Sequence, residues 1–369
     1  MIPVNRPLIE DSEIQAVVKT MESGSLSGDT QTVRAAEQAL TSYLSVKHTV
    51  LVNSGTSAID LLVESLDIQE GDECILPSLT IISTATALLR KRAKIKLIDV
   101  DEDYWCMNAS QASSEVTQKT KLLMPVHLYG MAVDVPTIRN AIKNTECLII
   151  EDAAESLGQL VRGENCGSMG DAGILSFYAN KVVTCGEGGA VATNSEQISE
   201  RVRYFRNLCF NSRQRFVHED LGWNMRISSL QAAMIPSQIE RISSIVERKK
   251  NIAQDYINRL HGHPWISFQK SKTDWCENSY WVVGILLAED CRFDAEALSK
   301  VLMTKGIETR RFFCPLHLQP IIRSLGLDFE GSFPVSEKLW SHGLYLPSGL
   351  GTTKEEIEIV CAELWNLTK

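Results

Sequence analysis

The stretch Leu148-Ile149-Ile150-Glu151-Asp152-Ala153-Ala154-Glu155 carries the reading of the fold. A short apolar run without polar alternation reads as a strand buried on both faces, as in a parallel or mixed sheet covered by helices. Its acidic end is then the C-terminal end of the strand, where open α/β sheets present functional groups. On these residues alone, Asp152 is either an anion facing a ligand or an ordinary cap for the next helix.

The same grammar repeats on both sides. Thr49-Val50-Leu51-Val52 is a β-branched run followed by Asn53-Ser54-Gly55-Thr56-Ser57, and Ala58 to Leu66 then has apolar residues at helical spacing. Cys74-Ile75-Leu76 reads as a strand closed by Pro77, Ile82 to Leu89 as a helix, and Ile95 to Val100 as a strand. Leu122 to Val126 is another strand, separated from the opening stretch by helical Val135 to Ile142. Strands alternating with helices predict an α/β fold with a parallel or mixed central sheet. After Asp152 the order changes. Ile174 to Tyr178 and Ala190 to Thr193 read as two strands of a hairpin-like excursion, followed by a helix over Glu196 to Leu208. Ser228 to Leu260 reads as one long helical stretch that Pro236 should kink or break. The domain boundary is placed there: residues 1–245 form a large domain and 246–369 a smaller C-terminal α+β domain. The latter has a strand over Tyr280 to Leu287 and helices over Ala295 to Met303 and Lys354 to Leu364.

A net charge of -9 argues against a nucleic-acid or anionic-membrane partner, since either needs a basic face. No apolar run reaches bilayer length, and Met1 to Arg6 lacks the basic-then-apolar order of a signal peptide. The ten cysteines include no C-x-x-C pair, which fits reduced thiols in a cytoplasm. Cys185 is either a nucleophile or a small packing residue.

Ser176-Phe177-Tyr178-Ala179-Asn180-Lys181 is followed by Gly186-Glu187-Gly188-Gly189. Lys181 is either a solvated loop residue or an amine held at a strand end, partly desolvated so that its pKa falls. Gly55-Thr56-Ser57, between a strand and a helix, is either a plain N-cap or an anion cradle of free N–H groups. Ser176 offers a further hydroxyl. An amine, a carboxylate and an anion cradle are what pyridoxal 5'-phosphate needs: an imine former, a partner for the pyridine nitrogen, and phosphate contacts. Each fragment is ordinary by itself, and their order along the chain is the signal.

With these stretches, and with Pro125-Val126-His127-Leu128-Tyr129-Gly130 and Gly222-Trp223-Asn224-Met225-Arg226, nearly the whole chain resembles the DegT/DnrJ/StrS sugar aminotransferase family. The resemblance implies the aspartate-aminotransferase-like fold of type I pyridoxal-phosphate enzymes, with a mixed central sheet, and a homodimer with shared active sites. It implies that Lys181 carries the cofactor and moves protons, and that Asp152 partners the pyridine nitrogen. It also implies that Glu155 sits beside the ring hydroxyl, and that Gly55, Thr56, Ser57 and Ser176 serve the phosphate. Asn224 would reach the phosphate of the neighbouring subunit, and Ile81 would cover the ring face. Lysine rather than histidine at position 181 favours amino transfer over the family's dehydration chemistry. Glutamate is the expected donor and a nucleotide-linked keto-sugar the acceptor.

Val126 to Gly130, Gly222 to Arg226 and Ile307-Glu308-Thr309-Arg310 leading into Pro315-Leu316-His317 look most like the branch that aminates C4 of GDP-4-keto-6-deoxymannose. That likeness implies that His127, Tyr129, Arg310 and His317 lie near the sugar or its phosphates, the last two being otherwise a surface arginine and a turn histidine. Ile81, Thr86, Leu26, Arg311 and Cys314 depart from the pattern. Ile81 forgoes an aromatic stacking contribution of about 0.5–1.5 kcal/mol, and Arg311 is either a contact for an extra anionic group or a surface charge. The alternatives are a UDP- or dTDP-linked or non-nucleotide keto-sugar, and, outside enzymes, a pyridoxal-phosphate-binding regulator. A regulator would not need Lys181, Asp152 and Glu155 together.

Overall fold

The computed structural model describes residues 1–210 and 214–367. Two N-terminal helices, α1 (Asp11–Glu22) and α2 (Gln31–Leu44), lead into β1 (His48–Val52) and α3 (Gly55–Ser65). Then come β2 (Glu73–Pro77), α4 (Ser83–Arg90), β3 (Lys94–Ile98), β4 (Thr120–Leu123) and β5 (Leu148–Asp152). The short pair β6 (Leu160–Val161) and β7 (Glu164–Asn165) precedes β8 (Ala172–Ser176) and β9 (Gly189–Thr193).

Seven of these strands form one sheet in the order β1-β9-β8-β5-β4-β2-β3. β9 is antiparallel to both its neighbours, whereas β3, β2, β4, β5 and β8 are mutually parallel. The strands read as continuous apolar runs because both faces are covered: β1, β5 and β9 are buried along nearly their whole length. α3 lies against the sheet with Ala58, Ile59, Leu61, Leu62 and Val63 buried. Its start is set by Ser54, whose hydroxyl accepts the Ser57 N–H.

One sequence expectation about the sheet needs correction. The hairpin-like excursion is no excursion, because β8 and β9 pair with each other inside the main sheet, β8 joining β5 and β9 joining β1. Local pattern shows that two strands follow one another but not which edges they cover. The stretch from Ser228 to Leu260 is broken into helices Ser229–Ala232, Ile235–Glu240 and Ile242–Arg259, with Pro236 in the first turn of the second.

A second, antiparallel sheet contains β10 (Ile266–Phe268), β11 (Val283–Leu287), β12 (Arg310–Arg311) and β13 (Gly343–Leu346), in the order β10-β11-β13-β12. Its core packs Val283, Ile285, Leu344 and Leu346 against Ile252 and Tyr256, and against Ile357 and Val360 of helix Lys354–Asn366. Ile2 belongs to this core too, held by Ile2 N–H to Gly306 O at 2.7 Å and Glu308 N–H to Ile2 O at 2.9 Å. Helix Ile242–Arg259 passes between the two bodies: Ile242 and Ile245 pack in the first core, and Ile252 onward in the second. β11 starts later than its sequence suggests. Tyr280 has φ +51, which ends extended pairing and swings Trp281 inward. Gly130 (φ +122) makes this approach possible, since a Cβ there would stand 2.4 Å from Asn278 Oδ1. No helix among the described residues is long and apolar enough to cross a membrane.

Candidate active site

The C-terminal ends of β5 and β8, the N-terminus of α3 and the loop from β8 to β9 converge on one cavity of about 320 Å3. Asp152 ends β5 and is buried; its Oδ1 accepts the Ala154 N–H at 3.1 Å. Burial raises its pKa, opposed by that hydrogen bond and by Lys181. Lys181 stands in the turn after β8, where its N–H donates to Tyr178 O at 2.9 Å. Its Nζ lies 3.6 Å from Glu155 Oε1 and 3.9 Å from the centre of the Trp281 ring. Burial lowers the Lys181 pKa, with Glu155 and Asp152 opposing. Burial likewise pushes Glu155 up to about 7, against the attraction of Lys181 and the Tyr129 N–H that Glu155 Oε2 accepts at 3.0 Å. Desolvation thus outweighs pairing in this cluster, which brings the amine and the acid towards neutral forms that can exchange a proton.

Gly55 and Thr56 line the wall at the first turn of α3, where N–H groups lack intrahelical acceptors. A Cβ at Gly55 would come within 3.2 Å of Ser176 Cβ, a tight contact. Gly189 is tighter still: a Cβ would stand 2.5 Å from the Ser54 carbonyl carbon. Ile81 and Ser176 complete this side. Ser57 does not face the cavity, since its hydroxyl donates to Asn53 Oδ1 at 2.6 Å and meets Ser54 Oγ at 2.9 Å. Its neighbour Ser54 lines the wall instead.

The sugar-side residues divide. Arg310 is on the cavity wall. His127 and Tyr129 are behind it, fully buried. His127 Nε2 pairs with Glu151 Oε2 at 3.2 Å and its Nδ1 accepts the Val133 N–H, so the ring buttresses β5. Tyr129 Oη accepts the Phe313 N–H at 3.1 Å, and the ring stacks on Phe312 at 4.3 Å. His317 is also off the wall: Nδ1 meets Ser78 Oγ at 2.9 Å and Nε2 meets Glu337 at 3.0 Å, tying its turn to the end of β2. Asn224 is exposed and does not line the cavity. Arg311 is a surface charge, paired with Glu296 at 2.8 Å and lying over Trp340. Cys185 is buried, its thiol pushed up to about 12, which makes it a packing residue.

Sequence reasoning missed Trp281, Tyr345, Phe313, Thr80 and Asn180 on the wall. Trp281 and Tyr345 arrive from the second sheet, and no local pattern tells a site tryptophan from a core one. Thr80 Oγ1 and Asn180 Oδ1 are buried without partners among the described residues. Buried polar groups are rarely left so, and on a cavity wall they fit a polar occupant.

A desolvated amine and two carboxylates on one cavity, with a glycine-cleared helix N-terminus to take a phosphate, fit pyridoxal phosphate; the architecture is that of a type I pyridoxal-phosphate-dependent enzyme. The chain belongs to the DegT/DnrJ/EryC1/StrS aminotransferase family, whose model matches residues 7–365. It is 30% identical over 361 residues to the GDP-perosamine synthase of Vibrio cholerae, covering 98% of this chain and 97% of that protein. It is 32% identical over 315 residues to the dTDP-3-amino-3,4,6-trideoxy-alpha-D-glucose transaminase of Streptomyces venezuelae, covering 85% and 81%. Among solved structures, S. venezuelae DesV superposes with a TM-score of 0.86 at 29% identity, covering 96% of this chain and 94% of that one.

Proposed function

We propose that this aminotransferase moves an amino group from glutamate to a nucleotide-linked 4-keto-6-deoxy sugar, with GDP-4-keto-6-deoxymannose the first candidate. The observation that carries the chemistry is the single cavity on which Lys181, Asp152 and Glu155 meet. The GDP-perosamine synthase likeness over nearly the whole chain supports the acceptor. The dTDP-sugar transaminase likeness keeps a dTDP-linked keto-sugar as the second reading.

In this reading Gly55, Thr56 and Ser176 hold the cofactor phosphate and Ile81 covers the ring. When bound, the cofactor supplies an electron-accepting ring that lets the donor's Cα–H bond break. Asp152 keeps a proton on the pyridine nitrogen, and Glu155 sits beside the ring hydroxyl. Burial lowers the pKa of Lys181, and its amine is placed to move a proton between the donor Cα and C4′ of the cofactor. Arg310 faces the substrate side. The protein acts as a cytoplasmic homodimer in amino-sugar supply for surface polysaccharide, Asn224 serving the neighbouring subunit. Its large domain spans residues 1–245, apart from Ile2, which packs in the second core, and its small domain 246–369.

The test is a panel of GDP-, UDP- and dTDP-linked keto-sugars incubated with glutamate and read by product mass. Gain of an amine on the GDP-4-keto-6-deoxymannose product is expected. Reaction with non-nucleotide keto acids alone would overturn the assignment.

A further inference from the structure

Beyond Trp281 a smaller chamber of about 180 Å3 adjoins the main cavity, sharing with it Tyr178, Asn180, Trp281, Arg310 and Tyr345. Lys249, from helix Ile242–Arg259, lines this chamber and is buried. Its ammonium donates to the Ser348 carbonyl and has no other partner among the described residues. An ammonium has three donors, so two are left without protein acceptors. Glu308, the carboxylate on the chamber wall, accepts the Val4 N–H at 2.9 Å and forms no ion pair with Lys249. Burial without a counter-charge pushes Lys249 down to about 7. A buried cation left unpaired is costly, and an apolar residue would fill the position better unless an anion visits it. Arg310, on the shared wall, likewise forms no ion pair among the described residues. At about 180 Å3 the chamber is smaller than the roughly 300–1,000 Å3 of ordinary ligand pockets. A carboxylate on two methylenes fits that space, and a nucleotide does not.

We infer that this chamber is the subsite for the side-chain carboxylate of the amino donor, held by Lys249 and Arg310 while the donor amine faces Lys181 on the other side of Trp281. The inference rests on the glutamate reading and adds the residues that select a dicarboxylic donor over a monocarboxylic one.

The test compares wild-type holoenzyme with Lys249→Met and Lys249→Arg, following the cofactor's absorbance with glutamate and, separately, with L-alanine. In Lys249→Met the apparent glutamate dissociation constant should rise roughly tenfold or more, as expected for loss of a charge-assisted contact. The alanine constant should stay within about twofold of wild type, and Lys249→Arg should recover part of the glutamate affinity. A readout without turnover is protection by glutarate: it should raise the Tm of the wild type but not of Lys249→Met, with unliganded melting showing that the variant folds. Unchanged glutamate affinity and glutarate protection in Lys249→Met would overturn the subsite. So would weakening of the amino-sugar half-reaction alone, which would place the anion on the sugar. If wild-type enzyme ignores glutamate but accepts another donor, the donor reading itself fails and this assignment falls with it.

Discussion

Lys181, Asp152 and Glu155 differ from other lysines and acids of the chain in one respect: each is buried against the others on a cavity wall. Replacing Lys181 with alanine should lower amino transfer by at least about 10²–10⁴-fold, the usual worth of a placed acid–base group. It should also abolish the glutamate-dependent shift of the cofactor's near-visible band, which stopped-flow absorbance would read. Glu155 makes a separate prediction for the cofactor-free protein. Its pKa is raised from the ordinary 4.5 to about 7. The folded state therefore favours the protonated acid, and this contribution is complete below 4.5 and lost as pH climbs through 7. The loss is on the order of 3 kcal/mol. Urea unfolding at pH 5 and pH 8 should show stability falling with pH in the wild type and a flatter dependence in Glu155→Gln. Parallel curves would mean that Glu155 is not held in its acid form.

At the level of elements, the site depends on β9 lying close against the turn that starts α3. Gly189 has no room for a side chain there, with Ser54 backbone atoms 2.5 Å from a built Cβ. Gly189→Ala should cost about 1–3 kcal/mol by overpacking, seen as a lower urea midpoint. It should also weaken cofactor retention, because the strand carries the loop that shapes the phosphate turn. A loss of stability with cofactor affinity unchanged would separate the turn from the phosphate. The strands flanking this contact were readable as strands in the sequence, since β-branched apolar runs show themselves locally. Their partners were not readable. The antiparallel insertion of β9 between β1 and β8 joins residues 48–52 to 189–193, and sheet order is a matter of long-range packing.

For the whole molecule, the second sheet and the turn leading into it close the cavity with Trp281, Tyr345 and Arg310, while Asn224 is exposed and does not line that cavity. In a dimer with shared sites, a Lys181→Ala chain paired with an Asn224→Ala chain places both defects in one site and leaves the other intact. Mixed after unfolding and refolding, two inactive variants should regain up to about a quarter of wild-type activity, the share expected if half the dimers are mixed and each has one intact site. Mixtures that stay inactive would place Asn224 outside a shared site.

The sequence by itself determined the alternation of strands and helices, the acid at the end of β5, the amine before a glycine cluster and the small residues opening α3. These are local signals, carried by neighbouring residues and by the few backbone geometries each permits. Only the tertiary structure decided that Lys181 and Asp152 share a cavity, that Ser57, His127, Tyr129 and His317 spend their polar groups on the scaffold, and that Trp281 and Lys249 stand near the chemistry. The reason is that a side chain's role follows from what desolvates it and what it pairs with. Those partners come from segments distant along the chain, brought together only when both sheets have packed.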